Sequence, residues 1–305
     1  MRVKYLISLL FFIGISLTAC KIEEKKFIPN NNPPHTNSVS TIIIENYINR
    51  LFIDLLGREA LANEIKQFTD SLKAENLSID SRFRLIRKLQ NDTQYRDGDS
   101  SYRKAYIMRL YNLNKLRFLE GADDGEIYQQ IGNLNFFIAI SRLNGDSIGV
   151  YYGLNEIAKY ENIINSVYAF YHNKINYNKL CGYMINNGIY DKINMGSFNF
   201  VNATFDDILN RKPTVDEFQI AYEIIDKNKP QTIFNQKASN KNEYIEALMN
   251  YYGFYEAQIH WWHYQYVRKE IPSSQLLELL NLYLTHKDIS LIQAHILSTD
   301  IYAQF

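Results

Sequence analysis

Glu256, His260 and His263 are the residues whose types and spacing come closest to chemistry, because positions i, i+4 and i+7 of a helix share one face and all three side chains can ligate a metal. They form only part of a zinc helix. Such a helix has a glutamate directly after its first histidine, whereas Trp261 and Trp262 fill the interval here and Tyr264 and Tyr266 continue an aromatic run. The alternative is a packed aromatic seam in which the histidines are hydrogen-bonded or half exposed. Other constellations are weaker. Met195-Gly196-Ser197-Phe198 lacks the second glycine of a nucleophile elbow and reads as a loop. Asn144 to Gly149 is too poor in glycine for a nucleotide loop and reads as a turn. Asp123-Asp124-Gly125-Glu126 lacks the alternate spacing of a calcium loop and reads as a solvated helix start. Asp206 and Asp207 are neighbours, so on a helix they diverge by about 100° and suit a polar face better than a glycosidase pair. Cys181 has one lysine nearby and no cysteine partner, which fits a small buried hydrophobe. No Cys-x-x-Cys-His occurs, and no cofactor is expected.

The elements that would position these groups are helical. Of 305 residues, 46% are hydrophobic, and 33 basic residues balance 33 acidic ones, which gives core enough for folding and no basic excess for nucleic acid. Ile44, Ile48, Leu51 and Leu55 make one stripe, widened by Tyr47 and Phe52 and stopped at Gly57. Similar spacing recurs over Tyr102–Leu119, Val150–Tyr171, Phe218–Ile225, Tyr244–Trp262 and Leu276–Leu284, whereas strict alternation is scarce. The expected fold class is all-α, an irregular multi-helix array. The 24 tyrosines accompany many Asn, Ile and Lys and are not read as a binding face.

A degenerate repeat organises part of this array. Phe52-Ile53-Asp54-Leu55-Leu56-Gly57-Arg58 has Glu64 six residues beyond its arginine, and Phe205-Asp206-Asp207-Ile208-Leu209-Asn210-Arg211 has Glu217 at the same distance. A looser third copy runs from His260 through Tyr266-Val267-Arg268 to Pro272-Ser273. In the first two copies the helix ends in a residue tolerant of the left-handed conformation, Gly57 or Asn210, and Thr214-Val215-Asp216-Glu217 restarts the chain as a capping box. Arg58 and Arg211 then sit at helix C-termini and can reach back to Glu64 and Glu217, which makes all four helix-corner residues. In the first copy the restart has degenerated to Ala60-Leu61. The Leu-Leu-Gly-Arg and Pro-Thr-x-x-Glu elements resemble helical domains of unknown function in bacterial secreted and surface proteins, a resemblance that implies no catalytic residue.

Arg2 and Lys4 precede an apolar run from Tyr5 to Leu17, which is too short for an untilted span of about 20 residues and has the order of a secretory signal. Leu17-Thr18-Ala19-Cys20 closes it and resembles the lipobox of bacterial lipoproteins. The resemblance implies that residues 1–19 are removed and that Cys20 carries the acyl chains that hold the protein on a membrane. Removal takes two basic groups and leaves a net charge of about −2, with little electrostatic pull towards an anionic bilayer. Residues 20–40 read as a flexible tether, and Lys21 with Glu23 and Glu24 looks like a signal for the outer face of the outer membrane.

The expected organisation is an N-terminal helical region over 41–190 and a C-terminal one over 191–305, either two domains or one array, with Asn186 to Asn202 as the candidate boundary. The expected function is that of a non-enzymatic, lipid-anchored protein of the outer membrane, periplasmic or surface-facing, that contacts a protein partner. An envelope metal-binding protein or enzyme centred on Glu256, His260 and His263 is the alternative. Capture of glycans or peptides by exposed tyrosines is a third possibility for which the sequence offers no groove.

Overall fold

The computed structural model describes residues 39–96 and 98–305. Cys20, the signal segment 1–19 and the tether up to residue 38 lie outside the described residues. Ser40–Phe305 forms one compact unit and is all-α apart from one small hairpin.

The first four helices are α1 (Thr41–Leu56), α2 (Ala62–Ala74), α3 (Ile79–Asn91) and α4 (Tyr102–Phe118). Ser40 caps α1 by accepting from the Ile43 amide, and Gly57 ends it at φ 78°. Between them the whole expected stripe is buried, which is why an amphipathic run of this length stays helical. α4 lies among α1, α3, α6 and α7, so it is the hub of the N-terminal half.

Two long helices follow, α5 (Asp124–Leu143) and α6 (Ser147–Tyr171), which pair with each other along their length. Asp123 and Asp146 cap them, as a solvated helix start and a turn should. After them come α7 (Tyr177–Ile185), α8 (Gly188–Ile193), α9 (Gly196–Leu209) and α10 (Val215–Lys227). The Asn186–Asn202 stretch is thus folded into the end of α7, α8 and the start of α9, inside the compact unit. Met195-Gly196-Ser197-Phe198 is not a loop as its composition suggested: Gly196, at φ 82°, opens α9.

The chain then forms the antiparallel hairpin β1 (Gln231–Ile233) and β2 (Gln236–Ala238). Its two-residue turn places Phe234 and Asn235 at φ 52° and 59°, the left-handed pair that a type I′ turn requires. A turn without glycine and strands of three residues leave almost no sequence signal, so the helical expectation passed over it. The last helices are α11 (Lys241–Asn250), α12 (Tyr252–Val267), α13 (Ser273–His286), α14 (Ile289–Leu297) and α15 (Asp300–Ala303). The run Tyr244–Trp262 is therefore two helices and not one. Tyr251 is extended, at φ −72° and ψ 140°, and its ring packs so near Gly253 that a Cβ there would come within 2.5 Å.

α12 packs against α9, α13 and α14, and α14 packs on α3. The last helices therefore return to α1 and α3. The Tyr47 hydroxyl donates to the Leu297 carbonyl, Arg50 donates to the Tyr302 carbonyl, and the Tyr302 hydroxyl donates to Asp54 at 2.7 Å.

Candidate functional site

The helix corners are built alike. Gly57 and Asn210 are both left-handed caps, and the N-caps Leu61 and Thr214 follow four residues later. Arg58 grips Glu64 through two bonds of 2.8 and 2.9 Å, and Arg211 grips Glu217 through two of 2.8 and 2.6 Å. Each arginine also donates to the next residue's carbonyl and lies over the aromatic ring that precedes the cap by five residues, Phe52 or Phe205, at 5.0 or 5.1 Å. Each glutamate accepts from its N-cap amide, at 2.8 Å from Leu61 and 2.9 Å from Thr214. The Arg58 guanidinium spends its donors within its own corner, on Glu59, Glu64 and Asp99, whereas Arg211 spends only Nη1 and Nη2 on its corner and is 37% exposed.

The first corner is the more deeply held. Asp99 adds a second carboxylate to Arg58, and the Tyr102 hydroxyl donates to Glu64 at 2.7 Å. Burial of Glu64 opposes its charge, but the bonds from Arg58, Leu61 and Tyr102 outweigh that and hold the carboxyl below the usual range. Glu217 is held low chiefly by Arg211. Asp54 and Asp207, at equivalent places on α1 and α9, move the other way: burial raises both, against the donated hydroxyls of Tyr302 and Tyr190.

The third copy keeps the corner and loses the ion pair. Arg268 is itself the left-handed cap at φ 59°, and Pro272 is the N-cap four residues on. That register puts Lys269 and Gln275 where the other copies have Arg and Glu, so Arg268 is not the counterpart of Arg58. His263 falls where the others have Phe52 and Phe205. Its Nδ1 lies 2.9 Å from the Lys269 carbonyl, which can only accept, so Nδ1 carries a proton and stitches the corner. Burial depresses the His263 pKa.

The sequence-derived cluster is thereby divided. His263 faces its own corner, whereas Glu256 and His260 line a cleft of about 310 Å³ with Arg211 and Glu270. His260 Nδ1 is 3.9 Å from Glu270 Oε2. Among the described residues no three His, Cys, Asp or Glu side chains are grouped closely enough to hold a metal ion. The aromatic seam is present: Trp262 is buried against Tyr177 and Tyr266. Cys181 is buried too, 3.5 Å from the Asn114 Oδ1, and burial pushes its thiol up to about 12, which makes it inert at neutral pH.

The feature that the spacing rules missed is the α5–α6 pair. Phe136, Ile140 and Leu143 follow at i, i+4 and i+7 on α5, and Ile148, Tyr151 and Tyr152 at i, i+3 and i+4 on α6. All six are exposed, Phe136 by 71%, Leu143 by 83%, Ile148 by 81% and Tyr151 by 70%. Both stripes run towards the Asn144–Asp146 turn, and the rings of Phe137 and Tyr152 meet edge to face at 6.1 Å between the helices. Arg142 and Asp146 are the only charged residues from Gln130 to Asn155. A sequence signal did exist, since apolar residues surround both helices, whereas a helix against a core needs only one stripe. No helix among the described residues is long and apolar enough to cross a membrane.

No family model, curated protein or solved structure matches the chain.

Proposed function

We propose that the protein is a lipid-anchored component of the bacterial outer membrane that acts by contact with another protein, through the turn end of the α5–α6 pair. The observation that carries the contact is the set of large apolar side chains standing in solvent there, beside so few charges. Contiguous exposed apolar patches are uncommon on monomers and mark interaction surfaces, and aromatic side chains are favoured anchors within them. The anchor rests on Leu17-Thr18-Ala19-Cys20 and the segment before it. Several acyl chains on one residue would hold the protein at the bilayer without a spanning helix.

The test uses the full-length protein in native membranes, with a photo-crosslinking residue at Phe136 or Tyr151 and, as a control, at Glu246 on α11. A discrete crosslinked species from the first two positions and none from the control supports the contact, and lack of any adduct at Phe136 and Tyr151 sinks it. Cell fractionation with Cys20→Ala addresses the anchor separately: release of the variant from washed membranes is expected, and its full retention would overturn lipidation at Cys20.

A further inference from the structure

The α5–α6 pair keeps its small residues inside and its large ones outside. Gly149 and Gly153 of α6 lie against Ser141 and Ile138 of α5, so the two helices approach closely along a narrow seam. Among the described residues α6 is the only helix on which α5 packs extensively, and the pair therefore forms a single layer. Helical folds bury an apolar layer by setting a second one against it.

One side of this layer is defined by contact across the seam. The rings of Phe137 and Tyr152 meet there, which puts both on the same side of the pair. Ile140 lies one turn after Phe137 and Ile148 one turn before Tyr152, both towards the Asn144–Asp146 turn, so these four residues make one contiguous face. Phe136 and Leu143 extend it round α5 at four and three residues from Ile140, and Tyr151 extends it round α6 at three from Ile148. All seven side chains are exposed. At roughly 200 Å² for a fully accessible large side chain, their exposed fractions amount to on the order of 900 Å². One side of a standard protein interface buries about 800 Å².

We infer that this face pairs with the same face of a second copy of the chain, so that two hairpins make a four-helix bundle. The inference rests on the reading of α5–α6 as a contact surface and names its partner. A second copy supplies what the layer lacks, two more helices of the same length and spacing with the same apolar side. A two-fold contact sets each surface against itself, which a surface of one charge sign opposes. From Gln130 to Asn155 the only charges are Arg142 and Asp146, of opposite sign, so the copies meet without net repulsion. Selection of a partner of different sequence draws on complementary charge, of which this face has almost none. The turn argues against a bilayer as the occupant. Arg142, Asn144 and Asp146 stand at the end of the hairpin and would enter the hydrocarbon first, where charge is costly.

The test co-expresses two forms of the full-length protein with different epitope tags, each with a photo-crosslinking residue at Tyr151, and irradiates washed membranes. An adduct that carries both tags at the mass of two chains is expected. Ile148→Glu in both forms sets like charges in the face and is expected to lower its yield at least ~fivefold, about 1 kcal/mol of association, at an unchanged melting temperature of the purified protein. Leu143→Glu serves the same purpose if Ile148→Glu does not fold. A discrete adduct that never carries both tags overturns the second copy and leaves the contact surface standing, whereas the absence of any adduct overturns both. A two-tag adduct that neither glutamate diminishes also overturns the pairing through this face.

Discussion

Arg58 and Arg211 make the same bonds to their glutamates, yet their removal should differ in cost because of what each would leave behind. Glu64 and Asp99 are 8% exposed at their side chains, whereas Glu217 is 25% exposed. Arg58→Ala would strand two nearly buried carboxylates and is expected to cost about 2–3 kcal/mol, against about 1 kcal/mol for Arg211→Ala, where solvent compensates. Urea denaturation of the two variants measures both, and equal losses would contradict this account of the corners. The pH dependence follows from the same groups. Glu64 and Glu217 titrate below their unfolded values, so their contribution is complete above the ordinary carboxylate range and drains away as pH falls through the folded values. Asp54 and Asp207 are raised by burial, so they have the opposite sign: their ionised forms cost stability near neutrality, and acid relieves that cost. Asp54→Asn, which still accepts from Tyr302, should therefore hold or raise the melting temperature at pH 7, with the gain vanishing as pH falls below the folded Asp54 value.

Among the elements, the α5–α6 pair depends on close approach as much as on apolar area. A Cβ on Gly153 would lie 2.5 Å from Ile138 Cγ1, near the root of a β-branched side chain that has little room to yield. Gly153→Ala is expected to destabilise the pair by about 1–3 kcal/mol through overpacking, in spite of alanine's better helix propensity. Hydrogen exchange should show the loss in α5 and α6 first, with α1 and α12 nearly unaffected. Uniform loss across the chain would mean that the pair unfolds only together with the rest.

The whole molecule is closed by its last residues. Tyr302 is buried, edge-on to Tyr47 and Tyr266, with Arg50 over its ring, and Arg82 bridges to Asp300 from an almost fully buried position. Tyr302→Ala removes a core aromatic and leaves Asp54 without its donor, for an expected loss of about 3–5 kcal/mol. Tyr302→Phe keeps the ring and forfeits the hydroxyl, for about 1–3 kcal/mol. A chevron or equilibrium unfolding series on the two variants separates packing from hydrogen bonding. A Tyr302→Ala loss below ~1 kcal/mol would show that the end of the chain is an appendage and not a closure.

Local physics was legible in the residues alone. A stripe with Gly57 after it can only be a helix that stops there, and a left-handed cap followed by Thr-x-x-Glu can only be a corner, because these rules act within a few residues. The all-α class and the Arg–Glu pairs follow from such short-range constraints. Tertiary structure alone decided what lies far apart in the chain. It placed Asp99 and Tyr102 on the first corner and separated His263 from His260. It also returned Tyr302 to Asp54 across 248 positions and left Phe136 and Tyr151 in solvent while equally apolar residues of α1 were covered. Which apolar face finds a neighbour depends on the packing of whole helices, and no spacing within a helix encodes it.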